Sequence, residues 1–216
     1  MASYAFGAIW NKRIQRSFWR ALSRELRRFS RRVSYKSFGT SGFKVAFTCP
    51  SGPLTKIEIA LVLLARELIL YLPAAYLTGR RDRMIVKANV RRKPDFYMEV
   101  FGKRTRLAKQ IELRAGKFKP VDAGGLSRFM KVLSTDPAKA SKLLSMGLLE
   151  RLVAVRGCLE RFSISRNEPH LLIVCKRDEG AISAILELLS EAGKLLSELA
   201  PSEREPSTRG RRGRRR

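Results

Sequence analysis

Few residues in this chain have the type and spacing needed to make or break a bond. There is one histidine, His170, at the start of a strand-like run after a turn. Acid–base work would need a partner for it, and nothing in the sequence marks one; a nucleophilic triad would meet the same obstacle. Cys49, Cys158 and Cys175 are odd in number and lack CxxC spacing, so they indicate neither a disulfide framework nor a zinc site. Small buried hydrophobes in a reducing cytosol are the expectation for them. Asp95, Glu99 and Lys103 have the composition of a metal-nuclease site. Asp95 and Glu99, however, fall at i and i+4 of one predicted strand, and no E-x-K follows at the usual distance. Gly39-Thr40-Ser41-Gly42 lacks GxxxxGK[ST] spacing and does not lead from a strand into a helix, so it is not a phosphate loop. The expectation is a non-enzymatic protein that needs no cofactor and no metal.

The chemistry the sequence does offer is recognition of phosphate by arginine and lysine. Lys and Arg number 45 against 19 Asp and Glu, a formal charge of +26 with a pI near 11.1. Such a balance invites polyanions, either nucleic acid or an anionic membrane face. The excess is uneven. Residues 1–47 hold eleven Lys/Arg against Glu25 alone, residues 80–119 hold fourteen against four acids, and the tail 201–216 holds seven against two. Residues 120–200 are close to neutral, with eleven against ten. A charge kept only for solubility would be spread evenly. The candidate contacts are therefore Arg13, Arg16, Arg20, Arg24, Arg27 and Arg31 near the N-terminus; Arg80, Arg81, Arg91, Arg92, Lys93, Lys103 and Arg104 in the middle; and Arg211, Arg212 and Arg214 in the tail.

These residues must be positioned by ordinary elements. Residues 9–33 read as a helix: at about 100° per residue Ile14, Phe18, Trp19, Leu22, Leu26, Phe29 and Val33 share one arc, with the arginines opposite. Three readings compete for it: a helix docked on the core with a solvated basic face, an interfacial membrane helix, and a phosphate-binding helix. The only long apolar run, 57–77, alternates in its first half and is apolar on both sides, which predicts a strand buried on both faces, then a short helix or strand. A membrane span fits poorly, because Arg66-Glu67 sits mid-run and Pro73 interrupts the second half. A hairpin is expected between 43–47 and 57–64. A second is expected between Met84–Val90 and Phe96–Phe101, with Arg91, Arg92 and Lys93 at its tip, and a further strand at Gln110–Leu113.

Beyond Gly124 the pattern is a strand at Phe129–Ser134 and a helix capped by Asp136-Pro137, with Gly147 as a kink and Gly157 as its stop. A hairpin of Leu159–Ser165 with His170–Lys176 and a final helix follow. The predicted class is α+β, a largely antiparallel sheet with helices on one face: a basic helix over 1–33, a body over 34–200 and a disordered Arg-rich tail over 201–216.

The first expectation for function is RNA or another nucleic acid, held through phosphates without sequence-specific readout. Phe18, Trp19, Phe96, Tyr97 and Phe101 would stack bases only if exposed, and most of them fall on apolar faces instead. The alternative is a peripheral protein on anionic lipid, with Phe18, Trp19 and Leu22 inserted; a scaffold binding an acidic surface comes third. No secretory leader is visible, so the expected place is the cytoplasm, with or without attachment to the inner membrane face. Abundant Arg with few Asn and Gln suggests a thermophile.

Overall fold

The computed structural model describes residues 2–30, 32–68, 71–103 and 118–199. The chain opens with helix α1 (Ala2–Leu26), strand β1 (Ser34–Ser37) and the hairpin β2 (Gly42–Thr48) to β3 (Leu54–Val62). A short helix α2 (Tyr71–Leu77) leads into β4 (Arg83–Val90); β5 (Met98–Gly102), β6 (Lys119–Pro120) and β7 (Met130–Ser134) follow. Helix α3 (Pro137–Leu143), a π-turn (Leu144–Leu148) and α4 (Leu149–Ala154) precede the hairpin β8 (Leu159–Ile164) to β9 (Leu171–Lys176), and α5 (Ile182–Leu199) comes last. The strands form one antiparallel sheet in the order β1-β2-β3-β4-β9-β8-β5-β7-β6. This is the α+β class that the alternation predicts.

Period-two patterning decides which face of the sheet is dry. Val45, Ile59, Val86, Ile173, Phe162, Val100 and Val132 stand in register across seven strands, all on the covered face. Onto them pack Phe18 and Leu22 of α1, Leu143 of α3 and Ile185 and Leu189 of α5 in one core. Each such side chain contributes about 1.5–3 kcal/mol by leaving water. Asp136 caps α3 by accepting from the Lys139 backbone N–H at 3.1 Å, and Gly147 (φ +113°) supplies the break between α3 and α4.

Three expectations are corrected. Within 57–62 the run is buried on one face only, and only beyond the strand are both phases buried: Ile57, Ile59 and Leu61 are buried, whereas Glu58 and Ala60 are half-exposed and Val62 is exposed, and then Leu63 and Leu64 are both buried. The helices sit on the other side, and Glu58 is free to pair with Lys44 (3.4 Å) and Lys56 (2.8 Å). Met84–Val90 and Phe96–Phe101 do not form a hairpin. The strands β4 and β5 are separated by β9 and β8, which arrive later in the chain and wedge between them. The N-terminal helix spans Ala2–Leu26 rather than 9–33, and Val33 is exposed. Residues 34–37 are extended because they pair with β2. Those four residues, like β6, were not foreseen as strands. The strand expected at Gln110–Leu113, the helix residue Arg31 and the tail 201–216 lie outside the described residues. Among the described residues no helix is long and apolar enough to cross a membrane.

Candidate polyanion-binding surface

Helix α1 is locked onto the sheet by its inner face, and that locking decides what its outer face can show. Ile14, Phe18, Leu22 and Leu26 are buried, with Phe18 at 0% exposure. Trp19 packs edge-on against Phe43 (5.9 Å) and Tyr35 (5.4 Å). Polar bonds fix the rotation of the helix. Asn11 Nδ2 donates to the Leu64 carbonyl (2.8 Å) and Arg66 Nη1 donates to Asn11 Oδ1 (2.8 Å). Gln15 Nε2 donates to the Gly39 carbonyl (2.9 Å). At Gly7 the helix meets the backbone directly: a Cβ there would stand 2.3 Å from the Arg66 carbonyl oxygen. Arg66 is itself held by Asp82 through two bonds (2.6 and 3.0 Å), and Arg177 donates to the same carboxylate (3.3 Å).

With that azimuth set, Arg13, Arg16, Arg20, Arg24 and Arg27 all stand exposed on the outside of α1. None of the five has a carboxylate partner among the described residues; the one acid on this helix, Glu25, pairs with Arg28 at 3.0 Å. At 1.5 Å per residue the row is about 21 Å long, roughly two and a half Debye lengths at physiological salt. Five unpaired guanidinium groups within that distance make a line of positive potential rather than a point.

The other candidates do not join it. Arg80 is exposed, donates to the Tyr71 hydroxyl (2.6 Å) and lies over that ring (5.8 Å to its centre). Arg81 is exposed beside Lys176 and Arg177, in a shallow groove that also holds Tyr76. Arg91 donates to the Pro50 and Gly52 carbonyls (3.0 and 3.2 Å), and Arg92 donates to the Ser197 carbonyl (3.2 Å) in the last turn of α5, where a cation suits unpaired carbonyls. Lys93 is exposed beside them. Because β4 and β5 run antiparallel with two strands between, residues 80–81 and Lys103 fall at one end of the strands and 91–93 at the other. Arg104, Arg31, Arg211, Arg212 and Arg214 lie outside the described residues.

The residues with catalytic chemistry are dispersed. Asp95 is bonded to Lys139, which holds its carboxyl below the usual range, while Glu99 is bound by Arg161 (2.6 and 2.9 Å) and Ser163 (2.8 Å). Burial pushes the His170 imidazole below its ordinary value; its Nδ1 accepts from the Val90 N–H (3.2 Å). The Cys175 thiol is pushed up by its hydrogen bond with Cys158 and by burial. Among the described residues no group of three metal-ligating side chains converges.

Sequence reasoning missed two things here. Phe6, Ile9 and Trp10 are each more than half exposed, on the same side of α1 as the arginines. At about 100° per residue Phe6 and Ile9 fall in the arc of Arg13, Arg20, Arg24 and Arg27 and Trp10 on its flank, a signal that was readable once the helix began at Ala2. The open face of the sheet also carries exposed Lys87 and Lys176, visible only as the polar phase of strand alternation.

No family model matches the chain, and no curated protein matches it. Among solved structures, the mycobacterial trehalose monomycolate transport factor A, TtfA, is similar in fold, with a TM-score of 0.52 over 88% of this chain and 98% of that one. At 11% identity the likeness extends to the fold alone.

Proposed function

We propose that this is a binding protein rather than an enzyme, and that it holds RNA through phosphate contacts along the outer face of α1. The observation that carries the reading is the row Arg13, Arg16, Arg20, Arg24 and Arg27: exposed, free of carboxylates, and mounted on a helix whose inner face is fixed in the core. A fixed helix loses little freedom on binding, so more of the electrostatic gain appears as affinity. A row about 21 Å long also selects for extended ligands, because a small anion meets one or two of its members. Phe18, Phe96 and Phe101 are buried, so stacked-base readout is not available to them and recognition is of backbone and shape. The clusters at 80–81 and 91–93 lie elsewhere on the molecule and would touch only a ligand that wraps around it.

Salt titration tests the proposal. Five phosphates neutralised predict a log–log slope of affinity against salt of about −3.5 for single strands and about −4.5 for duplex. A slope near zero would contradict phosphate contacts. Of Phe18, Trp19 and Leu22, the side chains that the membrane alternative inserts, Phe18 and Leu22 are buried in the core and Trp19 is half-buried, which favours the RNA reading for this part of the helix.

A further inference from the structure

The same helix has a second, different exterior at its N-terminal end. Tyr4, Phe6, Ile9 and Trp10 of α1 are each more than half exposed, and so are Leu68, Tyr76 and Leu77 at and before α2. These are seven of the twelve exposed large apolar side chains among the described residues, and Leu77 reaches 86%. Phe6, Ile9 and Trp10 on one side and Tyr76 on the other flank Arg177 at one end of the sheet. Gly7 abuts the Arg66 backbone just before Leu68. Arg177 borders both the groove of about 640 Å³ lined by Phe6, Ile9 and Trp10 and the smaller groove holding Tyr76. Phe6 and Trp10 pack edge-to-face at 5.8 Å, so the aromatic pair is already ordered.

We propose that this end docks on an anionic membrane surface, with Phe6, Ile9, Trp10 and Leu77 entering the headgroup region. Apolar and aromatic side chains rimmed by cations are what such an interface requires. The rim supplies Arg13, Arg81 and Lys176, all exposed and without carboxylate partners among the described residues. Of the acids nearby, Glu179 accepts from Arg177 (2.7 Å), Asp82 from Arg66 (2.6 Å), Glu67 from the Thr40 hydroxyl (2.8 Å) and exposed Asp178 from the Gly180 N–H (3.0 Å). A second copy of this chain would bring two such cationic rims together, which disfavours self-association. With Leu77 of α2 entering beside Phe6 and Trp10, the proposal has the chain dock by this end rather than along the length of α1. Arg24 is then about 21 Å along the helix from Trp10, beyond the reach of headgroup charge and still open to RNA.

The test is co-sedimentation of the full chain with vesicles of phosphatidylglycerol mixed with phosphatidylcholine, and of phosphatidylcholine alone. Each cation near the surface favours anionic lipid roughly fivefold, so the three rim cations predict a preference of about a hundredfold. The exposed-site variant Phe6→Ser/Trp10→Ser should lose tenfold or more, Leu77→Ser on the other element severalfold, and Arg24→Gln/Arg27→Gln less than about threefold. With Trp19→Phe removing the other indole, Trp10 emission should shift to the blue on anionic vesicles. The proposal is overturned if neither apolar variant changes sedimentation, or if the Arg24/Arg27 variant loses as much as they do. It is equally overturned if lipid-free protein is a dimer that Phe6→Ser/Trp10→Ser dissociates, or if that variant loses RNA affinity instead. The RNA reading shares Arg13 with this patch but rests also on Arg16, Arg20, Arg24 and Arg27, and survives failure here.

Discussion

The two halves of α1 share one inner face and differ completely on the outer one. From Gly7 through Asn11, Ile14 and Phe18 to Leu26, the inner side meets the segment 64–67, the sheet and α5 without interruption. Outward, residues 4–10 show Phe6, Ile9 and Trp10, and residues 13–27 show five arginines. Docking and display are thus separate demands on one helix. An amphipathic pattern establishes only the first, and the chemistry of the outer residues, taken half by half, sets the second.

The largest effect tests what the halves have in common. Phe18→Ala removes the buried ring on which both depend and should cost about 3–5 kcal/mol in urea unfolding. A loss under about 1 kcal/mol would mean that α1 is not held by this face. Gly7→Val separates the halves. Its side chain cannot be placed against the Arg66 carbonyl, so the first turns must shift at a cost of about 1–3 kcal/mol, while the arginine row keeps its anchor at Phe18 and Leu22. RNA affinity should hold within about threefold and vesicle binding should fall. The reverse outcome would exchange the roles of the two halves.

The smallest effect is a control at a buried residue outside α1. His170 is buried with its imidazole depressed below the ordinary 6.5, so the unfolded chain takes up a proton that the folded one refuses. Stability from this group is complete above that value and declines as pH falls below it. His170→Gln, which keeps an acceptor for the Val90 N–H, should flatten the slope between pH 7 and 5. Arginine does not titrate there, so RNA affinity should stay level across the same range wherever the protein remains folded.

Much of this was legible in the sequence. Alternation marked the long strands, Asp136-Pro137 marked the start of α3, and the spacing of Arg13 to Arg27 marked the row. The pairing of β4 was not legible. Ile85 and Val174 put apolar residues on its open face too, so neither its register nor its neighbour follows from its own residues, and β9 arrives some eighty residues later to take the place assigned to β5. The apolar end was hidden because the helix was begun at residue 9, which cut Phe6 from the count, and because the exposure of Leu77 depends on where α2 settles. Arg91 and Arg92 looked like free cations because bonds to the Pro50, Gly52 and Ser197 carbonyls are tertiary facts.

The central claim is that the arginine half of α1, rather than positive charge in general, holds the polyanion. The direct measurement is the salt dependence of RNA affinity for the native chain, for Arg20→Gln/Arg24→Gln/Arg27→Gln, and for a triple variant at Arg91, Arg92 and Lys93. The account predicts a slope shallower by about 2–3 for the first variant and by less than about 1 for the second. Equal changes in the two, or none in the first, would contradict it.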